Sequence, residues 1–151
     1  MSEDKKQIFF KLSKIETVSF MVDPTKVAPK YRKSLKFDIT LEFKMNPTKN
    51  HLIFSLEIIS YHKNKLEDKV GALNILVVFT IKNIDELIAS EKNGIVLPEA
   101  LMITLTSIVI STARGIWSEK VRGTSLQNII MPLINPRLVA AGLIKPVLTN
   151  K

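Results

Sequence analysis

The chain has 151 residues, 46% of them hydrophobic, which suits one domain spanning 1–151 and excludes general disorder. It contains no cysteine, which excludes disulfides and thiolate metal sites, and its N-terminal residues lack the apolar core of a signal peptide, so we expect a cytoplasmic protein. Its 22 basic and 14 acidic residues give a net charge of +8, which predicts an acidic partner, such as nucleic acid or a membrane surface, or simply a lysine-rich solvated surface.

The N-terminal part predicts a strand over 8–20 followed by a long connection over 21–34. The apolar spacing of the strand slips between Leu12 and Ile15, where a β-bulge would restore the inward face. Two prolines in the connection exclude regular structure. Long connections in compact domains are often functional, and this one carries apolar side chains that need a surface to lie on, namely Met21, Val27 and Tyr31.

Three further strands follow in the sequence. Apolar and polar residues alternate without error over 35–45, which predicts an antiparallel strand with one face on a core and one in water. Residues 46–50 form a turn signal that leads into a strand over 51–61. The strand over 70–81 is apolar on both faces in its second half, so we expect a second subunit to cover it, through Ile75 and Val77.

A long apolar helix is predicted over 98–118. Seven of the ten residues over 103–112 are β-branched, which leaves a strand as the alternative. The uncharged run over 100–113 is shorter than the roughly 20 residues of a membrane span, so no membrane insertion is expected. At helical period its polar residues form one narrow stripe of Thr104, Ser107, Ser111, Arg114 and Ser118. Because so little surface is left for water, we expect a second element or a second copy of the chain to cover the helix, the latter through Leu105, Ile108 and Val109.

The remaining segments complete an α+β pattern. Residues 83–91 indicate a short helix or loop, 126–134 is an apolar segment interrupted by Pro132, and a closing helix is predicted over 136–142. Strands followed by helices predict a four-stranded antiparallel sheet with the long helix and a shorter C-terminal helix packed on one face.

In order and spacing, the chain resembles the SecB family of protein-export chaperones from about 8 to 142. The resemblance lies in the opening strand before a proline-bearing connection, in four strands ahead of a long helix, and in two short motifs. These motifs are Arg122-Gly123-Thr124 and Met131-Pro132-Leu133-Ile134-Asn135. The resemblance implies an ATP-independent holding chaperone without cofactor or enzymatic activity, assembled as a dimer or dimer of dimers.

The family holds unfolded polypeptides in apolar grooves and passes them to the export motor, and divergent members act on antitoxins. For this chain the resemblance implies a groove between the first connection and the later apolar segment. Its lining would be Phe20, Met21, Val27, Tyr31, Leu126, Ile129, Ile130, Met131, Leu133 and Ile134. Flexible and branched side chains of this kind can repack around many clients. The alternative is that 126–134 is an ordinary core segment closed by the last helix.

The chain departs from the family at three places. The aromatic–proline–tyrosine–alanine–arginine run that enters the family's long helix is replaced by Leu101-Met102-Ile103-Thr104, and Pro136 stands where an aromatic would follow Asn135. The family's acidic motor-binding surface, to which its last strand contributes, is matched here by Lys69-Val70-Gly71-Ala72 in a chain of net charge +8. The sequence therefore does not predict binding of an export motor, while the resemblance still implies client holding, as in the divergent members that act on antitoxins.

Other functions find less support in the sequence. His51 and His62 are the only histidines, and neither belongs to a group with metal-ligand or catalytic spacing. The best nucleic-acid candidate combines cations with two aromatic residues, in the set Lys26, Lys30, Tyr31, Arg32, Lys33, Lys36 and Phe37. A basic interaction module that keeps only the fold is thus the alternative to a chaperone.

Overall fold

The computed structural model describes residues 7–23, 25, 35–63, 67–82, 84–87, 89–91 and 94–143. Within these ranges the chain forms four long strands, a small hairpin and three α-helices. In chain order they are β1 (Phe10–Val22), β2 (Lys36–Asn46), β3 (His51–Tyr61), β4 (Lys69–Ile81), α1 (Ile84–Leu87), β5 (Ala89–Glu91), β6 (Gly94–Val96), α2 (Glu99–Lys120) and α3 (Pro136–Leu143). The short helix or loop expected over 83–91 is α1 and the first strand of the hairpin.

The four long strands form one antiparallel sheet in the order β1-β4-β3-β2. Alternate residues of the two central strands point to the helices and are fully buried, because a strand's side chains alternate between faces. These residues are Leu52, Phe54, Leu56, Ile58, Leu73, Ile75, Val77 and Phe79. The sheet, the long helix and the short C-terminal helix confirm the predicted α+β fold.

The turn between β2 and β3 has an asparagine at each end. The Asn46 side-chain oxygen accepts a hydrogen bond from the Lys49 N–H at 3.3 Å. Asn50 adopts a left-handed conformation with φ of 56°, which asparagine tolerates better than most residues, and its N–H donates to the Pro47 carbonyl. The turn fixes the register of the hairpin, in which Asn46 pairs with His51.

β1 is an edge strand with two irregularities. Its register against β4 shifts between Leu12 and Lys14, which confirms the predicted bulge, and again between Thr17 and Ser19. Leu12 and Ile15 lie opposite Phe79 and Val77 and therefore share the helix-side face of the sheet. They are nevertheless 44% and 45% exposed. The bulge restores the inward direction of both side chains, but the described part of the chain leaves them half uncovered.

α2 settles the choice between helix and strand for residues 103–112. The Thr104 hydroxyl donates to the Ala100 carbonyl at 2.8 Å, a contact that suits this β-branched residue to a helix. The predicted stripe is exposed apart from Arg114, which is half-buried, while the opposite side is packed into the core. By length and composition α2 could also cross a membrane, although 44% of its most apolar window is buried in the fold. One such helix is weak evidence for a span, because the core helix of a soluble protein can have the same length and composition.

Two layers from the same chain cover α2. One side of the helix packs on β3 and β4, and α3 packs against another side and against β2. Between the helices, the segment 121–135 contributes Leu126 and Met131, which are 0% and 1% exposed. A second element of the same chain therefore provides cover that the sequence left open to a second subunit.

The structure corrects the predicted subunit contact. Ile75, Val77, Leu105 and Val109 are all 0% exposed within one chain, because they face one another between the sheet and α2. Only Ile108 of that set is partly exposed. These residues form the core of the protomer, and a subunit contact must use other side chains.

Candidate functional site

Trp117, the single tryptophan, joins the sheet, α2 and the C-terminal segment. Its ring packs edge-on against the rings of Phe20 and Phe37, with centroid distances of 6.2 Å and 5.6 Å. Its indole N–H donates to the Ile129 carbonyl at 3.3 Å. A buried tryptophan needs a partner for this N–H, and here the partner is the backbone of the apolar segment. Trp117 is 1% exposed and holds that segment in place.

Gly71 of β4 allows this region to pack closely. A Cβ atom at this position would lie 3.0 Å from Leu126 Cδ1, 3.0 Å from Ser60 Oγ and 3.1 Å from Trp117 Cη2. The Ser60 hydroxyl donates to the Gly71 carbonyl at 3.3 Å inside the same contact. Leu126 therefore lies directly on the sheet and anchors the start of the apolar segment.

A second side chain of α2 also binds the backbone of the apolar segment. Arg114 Nη2 donates to the Pro132 carbonyl at 3.3 Å. Arg114 binds the carbonyl of Pro132. Trp117, three residues later on the helix, binds the carbonyl of Ile129, which lies three residues before Pro132. The segment 129–132 therefore runs antiparallel to α2 and is held by side chains that bind its main chain.

Because the backbone is held, the side chains of this segment divide between core and solvent. Met131 is 1% exposed, whereas Ile130 is 81% exposed and Leu133 is 90% exposed. Water thus contacts two large aliphatic side chains whose positions are fixed by their buried neighbours. Such side chains can bind apolar groups of another molecule.

An open cleft of about 450 Å³ lies between α2 and this segment. The helix contributes a mostly polar wall that includes Arg114 and two serines of the predicted stripe, and the segment contributes an apolar wall. Its lining consists of Ser111, Arg114, Gly115, Trp117, Ser118, Gln127, Ile129, Ile130 and Met131. A Cβ atom at Gly115 would lie farther than 4 Å from every described residue outside its own stretch of helix, so the missing side chain leaves open space in the cleft.

The predicted groove residues fall into five groups. Phe20, Ile129 and Ile134 are partly buried around the core, and the first two meet at Trp117. Leu126 and Met131 are buried, so they anchor the segment and do not face a client, contrary to the prediction. Met21 is also misplaced, because it pairs with Ala72 on the sheet face opposite Phe20. Ile130 and Leu133 are exposed, and the remaining two predicted residues, Val27 and Tyr31, lie outside the described residues.

Sequence reasoning missed a second exposed apolar surface. It consists of four side chains of β1, on or near the helix-side face of the sheet, that are 38% to 60% exposed. These are Phe10, Leu12, Ile15 and Val18. Leu138 of α3, at 73% exposure, was missed as well. The irregular apolar spacing of β1 was the only sign of this surface in the sequence, since the burial of its pairing partners is known only from the fold.

The alternative sites gain no support from the geometry. No group of three or more potential metal ligands occurs among the described residues. In the basic candidate patch, the Phe37 ring packs against Trp117 and is not free to stack on a base. Four of its cations and Tyr31 lie outside the described residues.

Comparison with known proteins shows likeness at the level of structure. No family model and no curated protein matches the sequence. The fold is similar to that of a SecB-like chaperone from Mycobacterium tuberculosis, which was solved in complex with a ChAD peptide from the HigA1 antitoxin. The two structures align with a TM-score of 0.53 and 10% sequence identity, over 83% of this chain and 90% of that one. A protein of unknown function from Streptococcus agalactiae aligns with a TM-score of 0.36 and 7% identity over 76% of this chain and 89% of that one. The first likeness, together with the sheet order and the two helices, establishes a SecB-like fold for this chain.

Proposed function

We propose that this protein is an ATP-independent holding chaperone that binds unfolded polypeptide segments. The observation that carries the proposal is the exposure of Ile130 and Leu133 on a backbone that Trp117 and Arg114 hold beside an open cleft. An unfolded client offers apolar side chains without a fixed order, so a pre-positioned apolar surface can bind many of them. The SecB-like neighbour, which binds an antitoxin peptide, supports a client of this kind.

The two exposed aliphatic side chains limit the free energy of client binding. Full burial of one such side chain contributes about 1.5–3 kcal/mol, so covering both would contribute at most about 3–6 kcal/mol before ordering costs. This corresponds to weak, reversible binding unless the client fills several sites. A holding chaperone requires reversible binding because the client must leave in order to fold.

We further propose that the protein assembles as a dimer or a dimer of dimers through β1. This strand lies at the sheet edge, so one side of its 13-residue backbone has no neighbouring strand in the described fold. An exposed apolar edge strand is a template for pairing with another chain. A second copy would cover Leu12 and Ile15, and assembly would bring several clefts together on one particle.

The proposed setting is the cytoplasm, where the client would be a precursor awaiting export or an antitoxin. The exposed surfaces that support client holding do not distinguish these two cases. Genes adjacent to this one would separate them, since export components and a toxin–antitoxin pair predict different clients.

The test is suppression of aggregation of a slowly refolding client. The variant Ile130→Asp combined with Leu133→Asp should abolish protection, because charged groups replace both exposed aliphatic contacts. The matched control is Leu138→Asp, which changes an exposed aliphatic residue of α3, outside the segment that Trp117 and Arg114 hold, and should keep protection. A wild-type protein that neither delays refolding nor reduces aggregation would refute the proposal.

A further inference from the structure

One cation in the cleft has no anionic partner. Among the residues that the structure describes, no carboxylate lies within ion-pair distance of Arg114, whereas Arg122 pairs with Glu119 at 3.3 Å. The Arg114 guanidinium uses one N–H to hold the Pro132 carbonyl, and its buried Nε has no hydrogen-bond partner in the described part of the chain. A half-buried cation that has lost water without gaining an anion raises the free energy of the empty site.

The surroundings of Arg114 favour an anion. Ser111 and Ser118 lie three residues before and four residues after Arg114 on the same helical stripe, and both line the cleft. Gln127 lines it from the other side, and none of the described residues that line it is acidic. All four side chains can donate hydrogen bonds to a carboxylate, and Arg114 can do so with charge.

The charges in the last part of the sequence also favour an anionic partner. After Glu119 the chain contains no aspartate or glutamate, while it contains Lys120, Arg122, Arg137, Lys145 and Lys151. Net positive charge raises the association rate of partners of the opposite sign. Within the cleft, the apolar wall formed by Trp117, Ile129, Ile130 and Met131 lies beside Arg114.

We propose that the cleft selects client segments in which an apolar side chain adjoins an aspartate or glutamate, and that Arg114 is the specificity-determining residue. The apolar side chain lies against the wall at Ile130, and the carboxylate accepts hydrogen bonds from Arg114 and the adjacent serines. This proposal rests on the proposed function, since it names the class of client that the same surface prefers. Proteins whose apolar segments are flanked by lysine are poor clients.

The experiment measures binding of three labelled peptides that share one apolar sequence and carry Glu, Gln or Lys at the same central position. The full-length wild-type protein should bind the Glu peptide about tenfold more tightly than the Gln peptide, which corresponds to about 1.4 kcal/mol for one charge-assisted interaction. The Lys peptide should bind more weakly than either. Added salt should reduce the preference for Glu and leave Gln-peptide binding nearly unchanged.

Arg114→Gln should bind the Glu and Gln peptides with equal affinity, so the ratio of the two affinities, and not either affinity alone, is the measured quantity, and Arg114→Lys should retain part of the preference. The matched control is Lys44→Gln, which removes one positive charge from an exposed residue of β2 outside the cleft and should keep the preference. If Arg114→Gln unfolds because the Pro132 contact is lost, the paired variant Ser111→Ala with Ser118→Ala provides the same test, with a smaller expected loss of the Glu preference.

The outcomes separate this inference from the function on which it rests. Equal binding of all three peptides by the wild-type protein would overturn the carboxylate preference and leave client holding intact. Binding of none of them would count against both. Competition by a short oligonucleotide that also depends on Arg114 would show a general anion site and would overturn the assignment of the cleft to acidic peptide segments.

Discussion

Substituting Gly71 with alanine tests whether the sheet and the apolar segment are packed as tightly as the structure indicates. The new methyl group would lie 3.0 Å from the Leu126 side chain, 3.0 Å from Ser60 Oγ and 3.1 Å from the Trp117 ring. All three neighbours are buried, so none can move aside without disturbing the core. Overpacking of this kind costs about 1–3 kcal/mol, from which about 0.5–1 kcal/mol is recovered because alanine is less flexible than glycine in the unfolded chain.

The middle of these two ranges leaves a net cost, so we expect Gly71→Ala to lower the free energy of unfolding by about 1 kcal/mol, which corresponds to a Tm decrease of about 2–4 °C for a chain of this size. Urea titration followed by circular dichroism measures the change. The matched control is Gly115→Ala in α2, where the added methyl group would lie farther than 4 Å from every described residue outside its own stretch of helix. It should stabilise the protein by up to about 1 kcal/mol, because alanine is the better helix former. Equal stabilities for Gly71→Ala and the wild type would refute the close packing of Leu126 on β4.

Three further variants test the site and the assembly. Trp117→Phe removes the hydrogen bond to the Ile129 carbonyl and leaves a gap beside Phe20, so we expect the free energy of unfolding in urea to fall by about 1–3 kcal/mol, whereas full stability would mean that the bond contributes nothing. Gly115→Leu fills the cleft from its helix wall, so aggregation assays should show lost client protection without a decrease in Tm, and undiminished protection would place the client elsewhere. Leu12→Asp combined with Ile15→Asp should shift the protein to monomers in analytical ultracentrifugation, and an unchanged oligomer would exclude β1 as the contact.

The strands were predictable because their signals are local. Residues 36–46 alternate in polarity, and a strand's side-chain period of two converts that alternation directly into faces of a sheet. The wrong prediction of a subunit contact through β4 arose because this signal is local. Its central residues are apolar on both faces, so periodicity could not tell whether Ile75 and Val77 or Leu76 and Val78 face the helices. The pairing with β3 makes that choice, and pairing is a property of the folded chain.

The candidate site was predictable only in part, for a different physical reason. The sequence marked 126–134 as apolar, but it could not show that Trp117 and Arg114 bind this segment, because their partners are backbone carbonyls that every residue carries. Without those two contacts, the directions of Ile130, Met131 and Leu133 were undetermined. The prediction therefore included the buried Leu126 and Met131 among the client-binding residues.

Groove and core, the two interpretations of this segment, are not exclusive. Burying Met131 fixes the backbone, and a fixed backbone is what keeps Ile130 and Leu133 exposed when they would otherwise fold inward or collapse onto each other. A protein that exposes such side chains risks associating with itself, and its net charge of +8 opposes that association through repulsion between copies. The same positive charge does not repel an acidic client segment. Charge therefore allows this molecule to keep an apolar surface open to other chains while limiting its attraction for further copies of itself.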